Sequence, residues 1–319
     1  MNPKLSLLFF SMLAFLTSCG QRTPEQHTAD QTPPITKEQY NSISKSIKTF
    51  DYNPTYQVRF TAKYCGYEIY VNDMLANFSF TTGNSAGEQH FDVPQYILNS
   101  GPQEIKIKIY PKAIQDGRLE DKLRSEAAFS ARIVHGEYGK NNWDSFKQVA
   151  TIKVPIEGGK TKVEYKTTFD AQVPYKLDGW RSGADLSKEQ KADLIKEALA
   201  INEQFAKSYR EKDIGNIVSM IYNREKEVAQ SFFFRSGEPK SYDNGWEKIQ
   251  QEANEIKKIK ISDQYDLQYF GNGKVVALLQ RTGEDRDFPI IEAETDEDYI
   301  YYALYLFRPK PGAPLKIIR

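Results

Sequence analysis

Few residues in this sequence are equipped for chemistry, and their spacing narrows what that chemistry can be. The chain holds three histidines and two cysteines. In His135-Gly136-Glu137 two metal ligands stand close together, but no third is apparent, and zinc takes three or four. His90 and His135 both fall in the expected sandwich, and His135 reads as a paired histidine near a strand end. Cys65 beside either histidine would imitate a thiol nucleophile; the usual role of such a residue is a small buried apolar one. Eight acidic residues between Glu284 and Asp298 lack the alternating oxygens and central glycine of a calcium loop, so they read as a solvated face. The phosphate-loop pattern does not occur. No catalytic set, metal site or cofactor is therefore expected. Aromatic residues are the strongest candidates for binding. Tyr299, Tyr301 and Tyr305 alternate along an expected strand over 299–308, and Trp246 stands on an expected helix. The other face of that strand carries Ile300, Tyr302, Leu304 and Leu306, so both faces are to be covered, and the tyrosines line either a ligand site or a sheet core.

Cys19 is a different case, because its neighbours explain it. Lys4 precedes an apolar run over 5–16, which would span only ~18 Å as a helix against a hydrocarbon core of ~30 Å. It reads as the apolar region of a secretory signal rather than a span. The run ends in Leu16-Thr17-Ser18-Cys19, which resembles the lipobox of bacterial lipoproteins. The resemblance implies cleavage before Cys19, diacylglyceryl transfer to its sulfur and acylation of the new amino terminus with chains such as palmitate. Each buried methylene contributes ~0.8 kcal/mol, so two or three chains anchor a protein firmly. Gly20, in place of a retention aspartate, implies the outer membrane, and the lack of an acidic run over 20–22 implies its periplasmic face. Cys65 is then without a partner for an intrachain disulfide.

The elements that must position these residues fall into blocks. After a signal over 1–18, residues 19–50 are rich in Gln, Thr, Ser and Pro and are expected to be a flexible tether that includes His27. Over 51–178 the pattern has period two, with strands expected at 57–63, 67–71, 104–110, 127–135, 149–155 and 162–172. Ile105, Ile107 and Ile109 against Lys106 and Lys108 form the clearest alternation. Recurrent turn residues and the lack of a long amphipathic helix predict an all-β sandwich, immunoglobulin-like or jelly-roll-like, a class that the run over 96–111 also resembles. Trp180-Arg181-Ser182-Gly183 marks the boundary of a second domain over 179–319. There Ser187 and Gln190 form a capping-box pattern before a helix striped by Leu194, Ala198, Phe205 and Tyr209. Asp213 caps a short helix, Phe232-Phe233-Phe234 reads as a strand, and a third helix carries Trp246, Ile249, Ala253 and Ile256 on one face. Strands follow at 266–270, 274–281, 299–308 and 315–318.

This order of helices followed by an antiparallel meander, with the helix corner over 205–221, resembles the nuclear transport factor 2-like superfamily, which includes ketosteroid isomerase and polyketide-cyclase-like proteins. The resemblance implies an α+β cone, helices packed on a curved antiparallel sheet around a pocket. The isomerase chemistry needs a carboxylate base and a tyrosine donor. Counted from Asp213, the donor position falls at Phe205 and the base near Ala229 and Gln230. Glu225 and Glu227 come within a few residues but lie in a polar run that reads as solvent-facing. An isomerase-type enzyme is thus disfavoured. Forty-three basic residues against 43 acidic ones also disfavour nucleic-acid binding, which depends on phosphate neutralisation. The function expected is a lipid-anchored envelope protein with a non-catalytic binding or docking role, its partner the membrane together with an envelope protein or a small apolar or aromatic ligand. The alternatives are a hydrolase or isomerase using the cone pocket, or an immunity-type lipoprotein.

Overall fold

Strict alternation in the first half of the chain becomes two antiparallel sheets with one apolar face each. A computed structural model describes residues 33–84, 87–114, 118–139, 145–280 and 286–319. Lys4, Cys19, Gly20, His27, Glu284 and Asp285 lie outside the described residues. Strands β1 (Pro54–Lys63), β4 (Gln89–Asp92), β6 (Ala128–Glu137) and β7 (Lys147–Lys153) form a sheet in the order β4-β1-β6-β7. Strands β2 (Cys65–Val71), β3 (Met74–Ser79), β5 (Gly101–Pro111) and β8 (Val163–Ala171) form another in the order β3-β2-β5-β8. Ile105, Ile107 and Ile109 are fully buried, while the lysines between them lie on the sheet's other face, partly covered by the Tyr70 ring and paired with Asp73 and Glu68. Phe60 of the first sheet meets Tyr67 of the second edge-on at 5.1 Å, so the two inner faces share a core.

The second half contributes α2 (Lys191–Glu211), α3 (Ile214–Phe232), α4 (Gly245–Glu255) and two further antiparallel sheets. One orders β10 (Asp266–Phe270), β11 (Val275–Leu279), β14 (Leu306–Phe307) and β15 (Lys316–Ile317) consecutively. The other runs β13-β12-β9, with β9 at Lys258–Ile261, β12 at Ile291–Glu294 and β13 at Tyr299–Tyr302. The described fold is thus four antiparallel sheets with a few helices.

Several local expectations are corrected. The helix capped by Asp213, whose side chain accepts from the Asn216 amide, runs for 19 residues rather than stopping near Ile221. Its buried stripe of Ile217, Val218 and Ile221 continues at the same spacing through Glu225 and Ala229. Phe232 to Phe234 is its end, not a strand: Phe233 takes a left-handed conformation, and the Phe234 amide returns to the Ala229 carbonyl. Ser187 lies in a short 3-10 turn capped by Asp185, and Gln190 at the head of α2 makes no side-chain cap, so the capping box does not form. The expected strand over 299–308 is two strands, because the chain leaves β12 at Tyr302 and takes up β11 and β15 from Leu306.

The tether assignment also ends early. Thr36 and Gln39 form a capping box for α1 (Lys37–Asn41), and Tyr40 and Ile43 bury against α3 and α4. Apolar residues at Ile35, Tyr40, Ile43 and Ile47 supply the burial that a flexible segment lacks. No break in the core occurs at residue 178 either. Alternate residues of β11 divide between two clusters: Val275, Ala277 and Leu279 join the core of the first-half sheets, while Val276 and Leu278 join the helices. From Pro34 to Arg319 the chain is one compact unit.

Candidate functional site

Helical spacing brings one set of polar side chains to a common cavity. Phe205 and Tyr209 stand four apart on α2, Ile221 and Arg224-Glu225 on α3, and Lys248-Ile249 and Glu252 on α4. With Tyr40 of α1, Tyr302 of β13 and the connection 240–242 they enclose about 300 Å³. Close approach of α1 to α4 requires Gly245, where a β-carbon would come within 2.9 Å of the Tyr40 ring. A larger groove of about 710 Å³ between residues 49–52 and 172–174 gathers no comparable set of polar side chains.

Two carboxylates organise the cavity. The hydroxyls of Tyr209 and Tyr302 both donate to Oε1 of Glu252, each at 2.7 Å. Glu225 accepts from Arg224 Nε at 2.6 Å through Oε1 and from the Tyr242 hydroxyl through Oε2. Burial is the main force raising the phenol pKa values of Tyr40, Tyr209, Tyr242 and Tyr302, and the neighbouring carboxylates raise them further. These phenols therefore remain protonated donors at neutral pH. Burial works against the charge of Arg224, but the Glu225 carboxylate outweighs it and raises the guanidinium pKa. Ring contacts close the walls: Tyr209 to Tyr302 at 4.9 Å, Phe205 to Tyr302 at 5.4 Å and Tyr40 to Tyr242 at 6.0 Å.

Glu225 is thus buried and hydrogen-bonded, not solvent-facing. Glu227 is held as well, accepting from the Gly179 amide at 2.9 Å and pairing with Arg319 at 3.0 Å, but it does not line the cavity. Ala229 is fully buried, and Gln230 exchanges two hydrogen bonds with the backbone of Lys48. Phe205 does line the cavity, where it supplies a ring and no hydroxyl.

The aromatic residues expected to bind a ligand are not brought together. Tyr299 is 54% exposed. Tyr301 packs edge-on against Phe288 at 4.7 Å, and Tyr305 is buried against Phe270 at 5.1 Å in the core shared with the first half. Trp246 packs in the helical cluster, its amide donating to Asn41 Oδ1 at 2.8 Å, and is absent from the cavity lining. Tyr302, on the strand's other face, is the member that reaches the cavity. Tyr40 was masked by the polar composition around it, and Glu252 by its charge. The one available signal was a carboxylate next to the apolar stripe of α4.

His135 stacks on Tyr56 at 5.5 Å, with Nδ1 3.0 Å from the Tyr52 hydroxyl, and burial together with Lys147 lowers its pKa. Burial pushes the Cys65 thiol up to about 11. Among the described residues no group of three or more His, Cys, Asp or Glu side chains could hold a metal ion. The acidic stretch is not wholly solvated: Asp287 is buried near Arg286, and Glu292 pairs with Lys260 at 2.8 Å. No described helix is long and apolar enough to cross a membrane. In comparisons with known proteins, no family model, curated protein or solved structure matches the chain.

Proposed function

We propose that the chain is a lipid-anchored envelope protein whose folded body binds a small molecule without transforming it. The finer architecture belongs to the same proposal: a sandwich of the two first-half sheets, backed onto an α+β cone of the nuclear transport factor 2-like type. The observation that carries the binding role is the cavity under α1, in which Glu225 has both oxygens occupied by Arg224 and Tyr242. A carboxylate so engaged is a poor proton acceptor for substrate, Glu252 already accepts two phenol hydroxyls on Oε1, and among the described residues no activated nucleophile stands beside either. Aromatic walls and a few convergent polar groups are instead the makeup of a binding pocket. Anchoring rests on Leu16-Thr17-Ser18-Cys19, and Gly20 directs the protein to the outer membrane, facing the periplasm.

Two experiments test this. Cys19→Ser should release the protein from membrane pellets, and sedimentation unchanged from wild type would refute the anchor. A thermal-shift screen of small aromatic and polar compounds should give stabilising hits that Ile249→Trp, which fills the cavity, abolishes. Hits that persist in that variant would place binding elsewhere.

A further inference from the structure

Opposite charges line this cavity without neutralising each other across it. Oε1 of Glu252 takes both tyrosine hydroxyls, and Oε2 takes no hydrogen bond from any described residue. Arg224 commits Nε and Nη2 to Glu225, while Nη1 makes no hydrogen bond or ion pair among the described residues. Its side chain keeps a quarter of its surface open. Arg224 and Glu252 are not paired with each other, yet both line the same cavity. That space is about 300 Å³, at the small end of ligand pockets, and it is walled by the rings of Tyr40, Phe205 and Tyr302.

A ligand that meets these groups must present a donor cation to one end and an acceptor anion to the other. Glu225 already answers the charge of Arg224, so a ligand with only one of the two groups would leave either the Nη1 donor edge of Arg224 or the second oxygen of Glu252 without a partner, which costs more than the missing bond would have contributed. The rings leave room for a flat or apolar body between them. Lys240 and Lys248 also line the cavity, but Lys248 Nζ is engaged with the Ser241 carbonyl at 3.0 Å and Lys240 lies over the Phe234 ring at 5.8 Å. They are placed to draw an anion toward the cavity rather than to define its end.

We propose that the cavity takes a small zwitterion of the amino-acid class, its ammonium on Oε2 of Glu252, its carboxylate on the Nη1 edge of Arg224 and its apolar side chain among the rings. This rests on the reading of the cavity as a binding site and goes further in naming the ligand's chemistry.

Calorimetric titration of the full chain with L-phenylalanine, 2-phenylethylamine and 3-phenylpropionate tests it, since the last two each lack one charged group. L-phenylalanine should bind about tenfold or more tightly than either, the worth of one charge-assisted hydrogen bond. Glu252→Gln keeps an acceptor for the tyrosines and removes the charge, so it should reduce L-phenylalanine to the level of 3-phenylpropionate and leave the latter unchanged. Arg224→Lys keeps the buried charge and loses the fork, so it should weaken L-phenylalanine and 3-phenylpropionate and spare 2-phenylethylamine. Equal affinity for all three compounds, or no binding of any, would overturn the zwitterion assignment. Neither result would touch the cavity itself, whose fate depends on whether screening hits vanish in Ile249→Trp.

Discussion

Glu252 shows how a single oxygen atom can hold three elements together. Its Oε1 draws a hydroxyl from α2 and another from β13, while the carboxylate itself belongs to α4. A hydrogen bond to a charged acceptor contributes about 1.5–3 kcal/mol. Tyr209→Phe or Tyr302→Phe removes one of two donors, so each should lower the free energy of unfolding by about 1–2 kcal/mol in a urea titration, at the low end because one donor remains. Removing both leaves Oε1 without a protein donor, so the double variant should lose more than the sum of the singles. Strict additivity would mean that the two tyrosines act through their rings alone. None of this could be read from periodicity. Glu225 and Glu252 look like solvent-facing charges on amphipathic helices, because the groups that justify their burial come from distant segments. Tyr242 lies 17 residues from Glu225, and Tyr302 lies 50 from Glu252.

Local pattern was a better guide to where elements are than to where they stop. Strands with one buried face, such as β5 and β8, and the stripe of α2 lie where alternation and three-four spacing put them. Boundaries failed where tertiary contacts took over: α3 runs past Ile221 because buried Glu225 and Ala229 extend its stripe, and 299–308 divides because its hydrogen-bond partner changes. The strap formed by α1 is the most consequential miss, since it supplies Tyr40 to the cavity. It is fastened by Glu247 of α4, which accepts from Asn41 at 2.8 Å and pairs with Lys37 at 2.6 Å. Those two side chains, Lys37 first, lower the Glu247 pKa from 4.5 to about 2. A carboxylate held down in this way contributes its full effect above pH 4.5 and loses it as the pH falls toward about 2. Both partners are well exposed, so solvent screening keeps the effect modest. Amide exchange over residues 37–46 should therefore quicken between those pH values relative to exchange in α2, and Glu247→Gln should show the quickened rate already at neutral pH. Identical profiles for the two proteins would mean that the strap is held by Tyr40 and Ile43 alone.

The two halves of the chain differ in pattern and for that reason read as two domains, but a change of periodicity marks a change of element type and not a break in packing. β11 is the reason the distinction matters. All five of its residues are buried, with odd-numbered ones facing the first-half sheets and even-numbered ones facing the helices. A strand covered on both faces makes each half the solvent shield of the other. Phe270 sits at that junction: its ring lies 6.4 Å from Tyr70 of β2 and 5.1 Å from Tyr305, and the adjacent Gly271 amide donates to the Asp73 carbonyl at 3.1 Å. Truncating a buried phenylalanine costs about 3–5 kcal/mol. If the halves were independent, Phe270→Ala would unfold 179–319 early and leave 51–178 at its wild-type midpoint. With a common core the loss is shared, so near-ultraviolet circular dichroism and amide exchange in β1 and β6 should shift together with exchange in α2. Residues 51–178 made alone should expose the face of β2 that carries Tyr70, which Phe270 covers at 6.4 Å in the intact chain, and self-associate. A monomeric fragment with the stability of the intact chain would show that the sandwich completes its own core, and that β11 merely rests against it.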